Sequence, residues 1–330
     1  NRPVNETEQH EQGRDIVLSF VVIGFNEAAT LRGCLEAVEA AKRDAPACEL
    51  IYVDGGSTDD SGGIAERVGV DRLLGGDRPR KAAENRNLGL EHARGRYVQF
   101  VDGDMLLDPA WPKAAMTVLE ERPDVAVVFG QLRERNPSLA YRALQIDWEY
   151  PEGEALYCGG AALWRREVLE QLGGFPEDVR YGEEPLLCWR LRNELGRKVY
   201  HLHHRMASHD LGYEGLMDYW RRNIHCGEAL AEVSARCRDT HDPFWTDERN
   251  NALLWAGCIV VALLTAFAGP GPLGWLALAA LIAILVRKQI QYHERGWDVA
   301  LVYALHVYAS KLAIAYGILK TRLFRPTHNS

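Results

Sequence analysis

The sequence predicts an α/β fold, a parallel doubly wound sheet, with apolar helices following at its carboxyl end. Three observations predict it. Apolar, β-branched runs of buried-strand type alternate with helical patterns from residue 16 onward. Loops rich in Gly, Asn and Asp fall at the carboxyl ends of those strands, where open α/β sheets bind ligands. After Asn251 the charge thins out and long apolar runs take over.

The chain has 330 residues, room for one large α/β domain and further elements. Its net charge of −8 leaves no basic field to hold a nucleic acid. The 7 cysteines form no CxxC pair and no metal-ligand spacing, a scattered set that fits a reducing compartment. Residues 1–15 read as a polar tail without the apolar segment of a signal peptide.

The first strand, 16–23, opens into Gly24-Phe25-Asn26-Glu27, and a helix follows over 28–43. That loop is no GxGxxG, and the Glu27 carboxylate would oppose a pyrophosphate, which speaks against a dinucleotide site. A second strand, 49–53, ends at Asp54-Gly55-Gly56-Ser57-Thr58-Asp59, with a helix over 61–68. The helix over 80–94 places Lys81 and Asn85 on one face. Next comes Tyr97-Val98-Gln99-Phe100-Val101-Asp102-Gly103-Asp104, an apolar run ending in two carboxylates. Residues two apart on a strand share a face, so Asp102 and Asp104 aim at a common point. Gly103 admits close approach. Two hard oxygen donors there suit Mg2+ or Mn2+ carrying a phosphorylated substrate. An Asp-Gly turn closing the strand would read the same way.

These motifs, with Asn85-Arg86-Asn87-Leu88-Gly89 between them, recur in the order seen in family 2 glycosyltransferases, which the chain resembles over about residues 16–225. Bacterial members of the membrane-anchored type are inverting enzymes of GT-A fold, a Rossmann-like mixed sheet flanked by helices, fed by a nucleotide-diphosphate sugar. The resemblance implies a nucleotide site from Phe25, Asn26, Glu27, Asp54, Gly55, Ser57, Lys81, Asn85, Arg86, Asp102 and Gly103. Glu27 and Asp54 would accept hydrogen bonds from a uracil imide or ribose hydroxyls, and Lys81 and Arg86 would meet the diphosphate. Asp54 or Ser57 would serve equally as a helix cap.

Beyond a helix over 109–121 and a strand over 125–130, Gly159-Gly160 lies in a segment like the family's acceptor side, where backbone would approach the donor sugar. Glu183-Glu184 stands where relatives commonly carry Glu-Asp at a helix start. The resemblance gives Glu184 the role of catalytic base, with Glu183 able to share it. A strand over 198–204 carries His201 and His203 on one face and His204 on the other, with no cysteine at ligand spacing. His209 falls where GT-A enzymes complete their metal site, so the implied ligands are Asp102, Asp104 and His209. A helix over 213–233 carries Tyr219-Trp220-Arg221-Arg222 in place of the Gln-x-x-Arg-Trp of processive members. Trp220, Arg221 and Arg222 would meet the acceptor or the membrane surface.

Two uncharged runs, 252–268 and 273–286, flank Gly269-Pro270-Gly271-Pro272 and read as a transmembrane hairpin. Arg249 and Arg287-Lys288 put its ends, and the catalytic domain, on the cytoplasmic side of a bacterial inner membrane. Residues 299–319, interrupted by His306 and Lys311, read as an interfacial helix or a third span.

The expected organisation is therefore a catalytic domain over 16–235, a linker over 236–251, the hairpin over 252–290 and an interfacial helix with a basic tail over 291–330. The expected partners are a nucleotide-sugar donor, with a UDP-sugar favoured and a GDP-sugar belonging to the polyprenyl phosphate alternative, a lipid-linked or saccharide acceptor and the membrane, with no nucleic acid; a homo-oligomer is allowed. A polyprenyl phosphate acceptor and a non-catalytic nucleotide-binding scaffold are the alternatives.

Overall fold

The structure is a computed structural model that describes residues 15–213, 215–268 and 271–324. The predicted tail, but for Asp15, and the Gly269-Pro270 break lie outside the described residues. In chain order the elements are β1 (Leu18–Gly24), α1 (Leu31–Lys42), β2 (Cys48–Asp54), α2 (Ser61–Val68), β3 (Arg72–Gly75), α3 (Ala82–His92), β4 (Tyr97–Asp102) and β5 (Leu106–Leu107). Then come α4 (Trp111–Glu121), β6 (Val125–Glu134), α5 (Leu139–Leu144), β7 (Gly153–Ala155), β8 (Ala162–Arg165), α6 (Arg166–Leu172) and α7 (Glu183–Leu195). The last are β9 (Lys198–His209), α8 (Leu216–Arg236), α9 (Thr246–Ala268), α10 (Pro272–Gln291) and α11 (Trp297–Phe324).

The chain divides into two compact units. The first is Asn1–Arg133, Tyr150–Glu177 and Leu187–His209. Its sheet runs in the order β3-β2-β1-β4-β8-β6-β9-β5, with β7 paired to β9. The predicted parallel winding holds for β3, β2, β1 and β4. Beyond β4 it is replaced by antiparallel pairs, β8 on β4 and on β6, β5 and β7 on β9. The alternation of elements gives their order but not the direction in which each strand enters, so the mixed sheet follows from the family resemblance alone.

All seven residues of β1 are buried, as a strand covered on both faces requires. Helix α1 buries Leu31, Cys34, Leu35, Val38 and Ala41 at helical spacing. Helix α3 reaches the sheet through Gly89, where an added Cβ would collide with Val21. At the core, Trp111 and Trp164 are fully buried, and Trp111 Nε1 donates to Gln99 Oε1 at 2.8 Å.

The second unit is Glu134–Glu149, Asp178–Leu186 and Asp210–Ser330, so the domain predicted over 16–235 is spread over both. Helices α9, α10 and α11 are each long and apolar enough to cross a membrane, by length and composition. The first turns of α9 absorb residues 246–251 of the predicted linker. Within this unit α8 and α11 pack backbone to backbone. A Cβ added at Gly227 would strike the Ile314 carbonyl, and one at Gly317 the Ile224 carbonyl. Lys320 Nζ closes the seam on Glu228 Oε1 at 2.6 Å.

Candidate active site

The parallel register sets the site. Gly24 pairs with Asp54, and Ile23 with Asp102, so β1, β2 and β4 end side by side. Three backbone bonds lash the loops that leave them: Gly55 N to Gly24 O at 2.8 Å, Gly103 N to Ile23 O at 2.8 Å, and Arg80 N to Gly55 O at 3.0 Å.

The loops after β1 and β2 are also tied through side chains. Asn26, held at φ 58°, accepts at Oδ1 from Thr58 N (2.8 Å), while its own N–H donates to Ser57 Oγ (2.9 Å). Non-glycine residues seldom sit there, and Asn tolerates it best. Asp59 completes the latch, accepting from Ala28 N at 2.9 Å and from Ser61 Oγ at 2.6 Å. Asp54, almost fully buried, accepts at Oδ1 from the backbone N–H of Gly56 (3.1 Å) and Ser57 (2.8 Å). Phe25 stands exposed on the same loop.

Glu27 lies in a field that opposes its charge. Burial raises its carboxyl above the ordinary range, against a lowering hydrogen bond from Thr30 Oγ1 (2.9 Å). Asp104, Asp102 and Asp59 push it further up. Three carboxylates thus converge around Glu27 at one edge of the sheet, a place built for cationic or hydrogen-donating partners.

Arg86, expected at the diphosphate, is buried and held by Asp102, with Nη2 3.0 Å from Oδ1. The Phe175 ring lies over its guanidinium at 5.6 Å. Asn85 is buried beside Gly55, where an added Cβ would stand 2.7 Å from Asn85 Nδ2. Lys81 caps α3 and donates from Nζ to the Glu177 carbonyl at 2.8 Å.

Strand β9 runs five residues beyond its predicted end, so His209 closes it, with β5 pairing alongside. There His209 Nε2 lies 3.0 Å from Asp104 Oδ2. Donors bound cis on an octahedral ion at about 2.1 Å are about 3.0 Å apart. An imidazole nitrogen and a carboxylate oxygen at that spacing fit Mn2+ or Mg2+. Among the described residues no three His, Cys, Asp or Glu side chains are grouped as a metal site. The third expected donor, Asp102, is turned to Arg86.

Gly159 lies exposed, and a Cβ added there would meet nothing within 4 Å, so packing does not demand the glycine. Gly160 follows it just ahead of β8. Glu183 and Glu184 open α7 and belong to the second unit. So do Trp220, Arg221 and Arg222, on the first turns of α8, where Arg221 pairs with Asp218 at 3.2 Å. Of the other histidines, His201 is buried against the Pro151 carbonyl (2.9 Å), as a strand residue would be.

Two residues carry more than the sequence reading gave them. Asn87, inside the Asn85-Arg86-Asn87 motif, clamps Phe175 through both its backbone groups, at 2.7 and 2.9 Å. Gly174, at φ 80°, makes room for it, and the Gly173-Gly174 pair was the available signal. Asp59 is the other, a latch residue whose partners lie across the β1 loop.

Residues 19–173 match glycosyl transferase family 2. The pre-mycofactocin glycosyltransferase of Mycobacterium tuberculosis is 25% identical over 253 residues, 72% of this chain and 52% of that protein. The chain thus spans about half the length of that curated relative. Among solved structures, the mannosyltransferase PcManGT from Pyrobaculum calidifontis in complex with GDP-Man and Mn2+ aligns with a TM-score of 0.63 at 20% identity, covering 93% of this chain and 88% of that one. The glucosyl-3-phosphoglycerate synthase from Mycobacterium tuberculosis, in complex with Mn2+, UDP and glucosyl-3-phosphoglycerate, aligns at 0.52 with 23% identity, over 73% and 88%. With its mixed sheet and the carboxylates at its edge, the chain has the GT-A fold, and its residues 19–173 are similar to glycosyl transferase family 2.

Proposed function

We propose that the protein is a membrane-associated, inverting glycosyltransferase that moves a sugar from a nucleotide-diphosphate donor to an acceptor hydroxyl. The observation that carries this reading is the carboxyl edge of β2, β1 and β4, where Asp54, Glu27, Asp102 and Asp104 converge on latched loops. Asp54 and Glu27 receive hydrogen bonds from the nucleoside, and the exposed Phe25 ring offers a face to the base. Uracil is favoured as that base, and UDP as the nucleotide; the GDP-Man held by one structural neighbour keeps GDP in the test.

Asp104 and His209, with Asp102, would hold a divalent cation, which supplies positive charge against the developing charge on the diphosphate. Arg86 fixes the orientation of Asp102 from below. Glu184, at a helix start that favours its ionised form, takes the proton of the acceptor hydroxyl as that oxygen attacks the anomeric carbon. The carbon–oxygen bond to the diphosphate breaks on the opposite side, inverting the centre.

Helices α9 and α10 form the anchor, which suggests a lipid-linked or membrane-proximal acceptor at the cytoplasmic face. Helix α11 is read as lying at the surface. Its length is shared with α8, from Tyr219 against His306 to Glu228 against Lys320. The charges of α8 at Arg221, Arg222, Glu228, Glu232 and Arg236 keep that pair out of hydrocarbon.

The test is transfer of radiolabel from a panel of UDP- and GDP-sugars to membrane extracts. Transfer should require Mn2+ or Mg2+, and Glu184→Gln and Asp104→Ala should each lower it by about 10²–10⁴. Wild-type transfer by either variant would remove these residues from the chemistry. UDP binding without turnover on any acceptor would favour a scaffold.

A further inference from the structure

We propose that helix α8 is the template that seats the turn carrying Glu183 and Glu184, with His225 as its positioning residue. The inference rests on the reading of Glu184 as the base. It concerns only the second unit, to which α8 and residues 178–186 belong.

Four of the five residues leading into that turn, Asp178, Arg180, Tyr181 and Gly182, meet one face of α8. Asp178 Oδ2 pairs with Arg236 Nη1 at 2.7 Å. The Arg180 N–H donates to Glu232 Oε2 at 3.4 Å. The Tyr181 ring stacks on the His225 imidazole, with centroids 4.3 Å apart and planes 20° from parallel. Gly182, at φ 87°, lies so close that an added Cβ would be 2.9 Å from Val233 Cγ2 and 3.3 Å from Ala229 Cβ. Residues 225, 229, 232, 233 and 236 fall at helical spacing, a single stripe.

The contacts are not of equal weight. The Asp178–Arg236 pair is exposed and contributes little. The stack and the glycine contact are partly or wholly shielded, and they adjoin the acid pair directly. Burial also holds the His225 imidazole below its ordinary pKa, so the stacked ring is neutral. Two flat neutral rings in an offset stack fix the Tyr181 backbone, and with it the first turn of α7. The imidazole touches no reacting atom in this scheme; it acts through Tyr181. A base displaced by about 1 Å loses much of its effect.

The experiment compares His225→Ala, His225→Phe and Tyr181→Phe with Glu184→Gln in the full chain, reading UDP affinity, KM and kcat. His225→Ala should lower kcat about tenfold or more with UDP affinity unchanged. His225→Phe and Tyr181→Phe keep a stack and should retain most of kcat. If His225→Ala leaves kcat intact, or if all three variants fall alike, the template is overturned. The loss of UDP binding in step with kcat would show general unfolding and overturn it too. If Glu184→Gln is silent while His225→Ala is not, the reading of Glu184 fails, and the template stands only with Glu183, the other acid of the same turn, as the base.

Discussion

Glu27 is the residue at which stability and binding pull apart. Its folded pKa is raised, chiefly by burial and then by Asp104, Asp102 and Asp59. A carboxyl with a raised folded pKa adds no penalty at low pH, where both states hold the proton. As pH climbs past the ordinary carboxylate range, the unfolded chain ionises first and the folded state loses ground. Glu27→Gln should therefore raise the melting temperature at pH 7, with the gain fading below about pH 4. The amide still accepts from Thr30, so the loop is kept. UDP affinity should fall in the same variant, since the acceptor oxygens for the nucleoside are reduced. A melting curve across pH and a UDP titration check the two halves separately. At this scale the acidic residues were legible, because strand ends and Asp-Gly loops announce themselves. Their partners were not. The Arg86–Asp102 pair joins a helix to the following strand, and the Asn26–Thr58 latch spans 32 residues. Neither separation leaves a local pattern.

Elements were legible in proportion to their length. The long buried strands and helices were read to within a few residues. β3, β5 and β7, with four, two and three residues, offer too few positions for a period to show. β9 was cut short because exposed His203 and Arg205 interrupt the apolar pattern, while Met206, Ala207 and Ser208 are buried again. Glycine gives a sharper prediction. Gly89 lets α3 rest on β1 and β2, where a Cβ would meet Val21 and Val53. Gly89→Ala gains helix propensity but overpacks the layer by about 1–3 kcal/mol. Chemical denaturation should show a net loss of stability with an unchanged slope. A neutral or stabilised variant would mean that α3 can lift without consequence.

At the scale of the whole molecule the sequence divided the chain by composition, whereas the fold divides it by packing. The apolar end was plain. What composition could not give is that 134–149 and 178–186 pack with the C-terminal helices. They are ordinary mixed segments, and only long-range contacts assign them. The proposed anchor makes a prediction of its own. Ile282 lies near the middle of α10 and is exposed. Ile282→Arg should weaken insertion by about 3 kcal/mol. Flotation with vesicles should then recover less protein at the membrane, while UDP affinity in detergent is retained.

The stripe on α8 has a consequence for the order in which the molecule is made. Chains emerge amino end first, and the early units fold as they appear. By the time residue 209 has been synthesised, every strand of the sheet exists. Residues 178–186 at that moment lack the stripe of α8, because His225, Ala229, Val233 and Arg236 have not yet been added. Helix α8 in turn waits for Ile314, Gly317 and Lys320 of the last helix. A nascent chain arrested before α11 would hold a finished sheet edge and an unseated acid pair, so the proposed nucleotide site would form before the proposed base is in place.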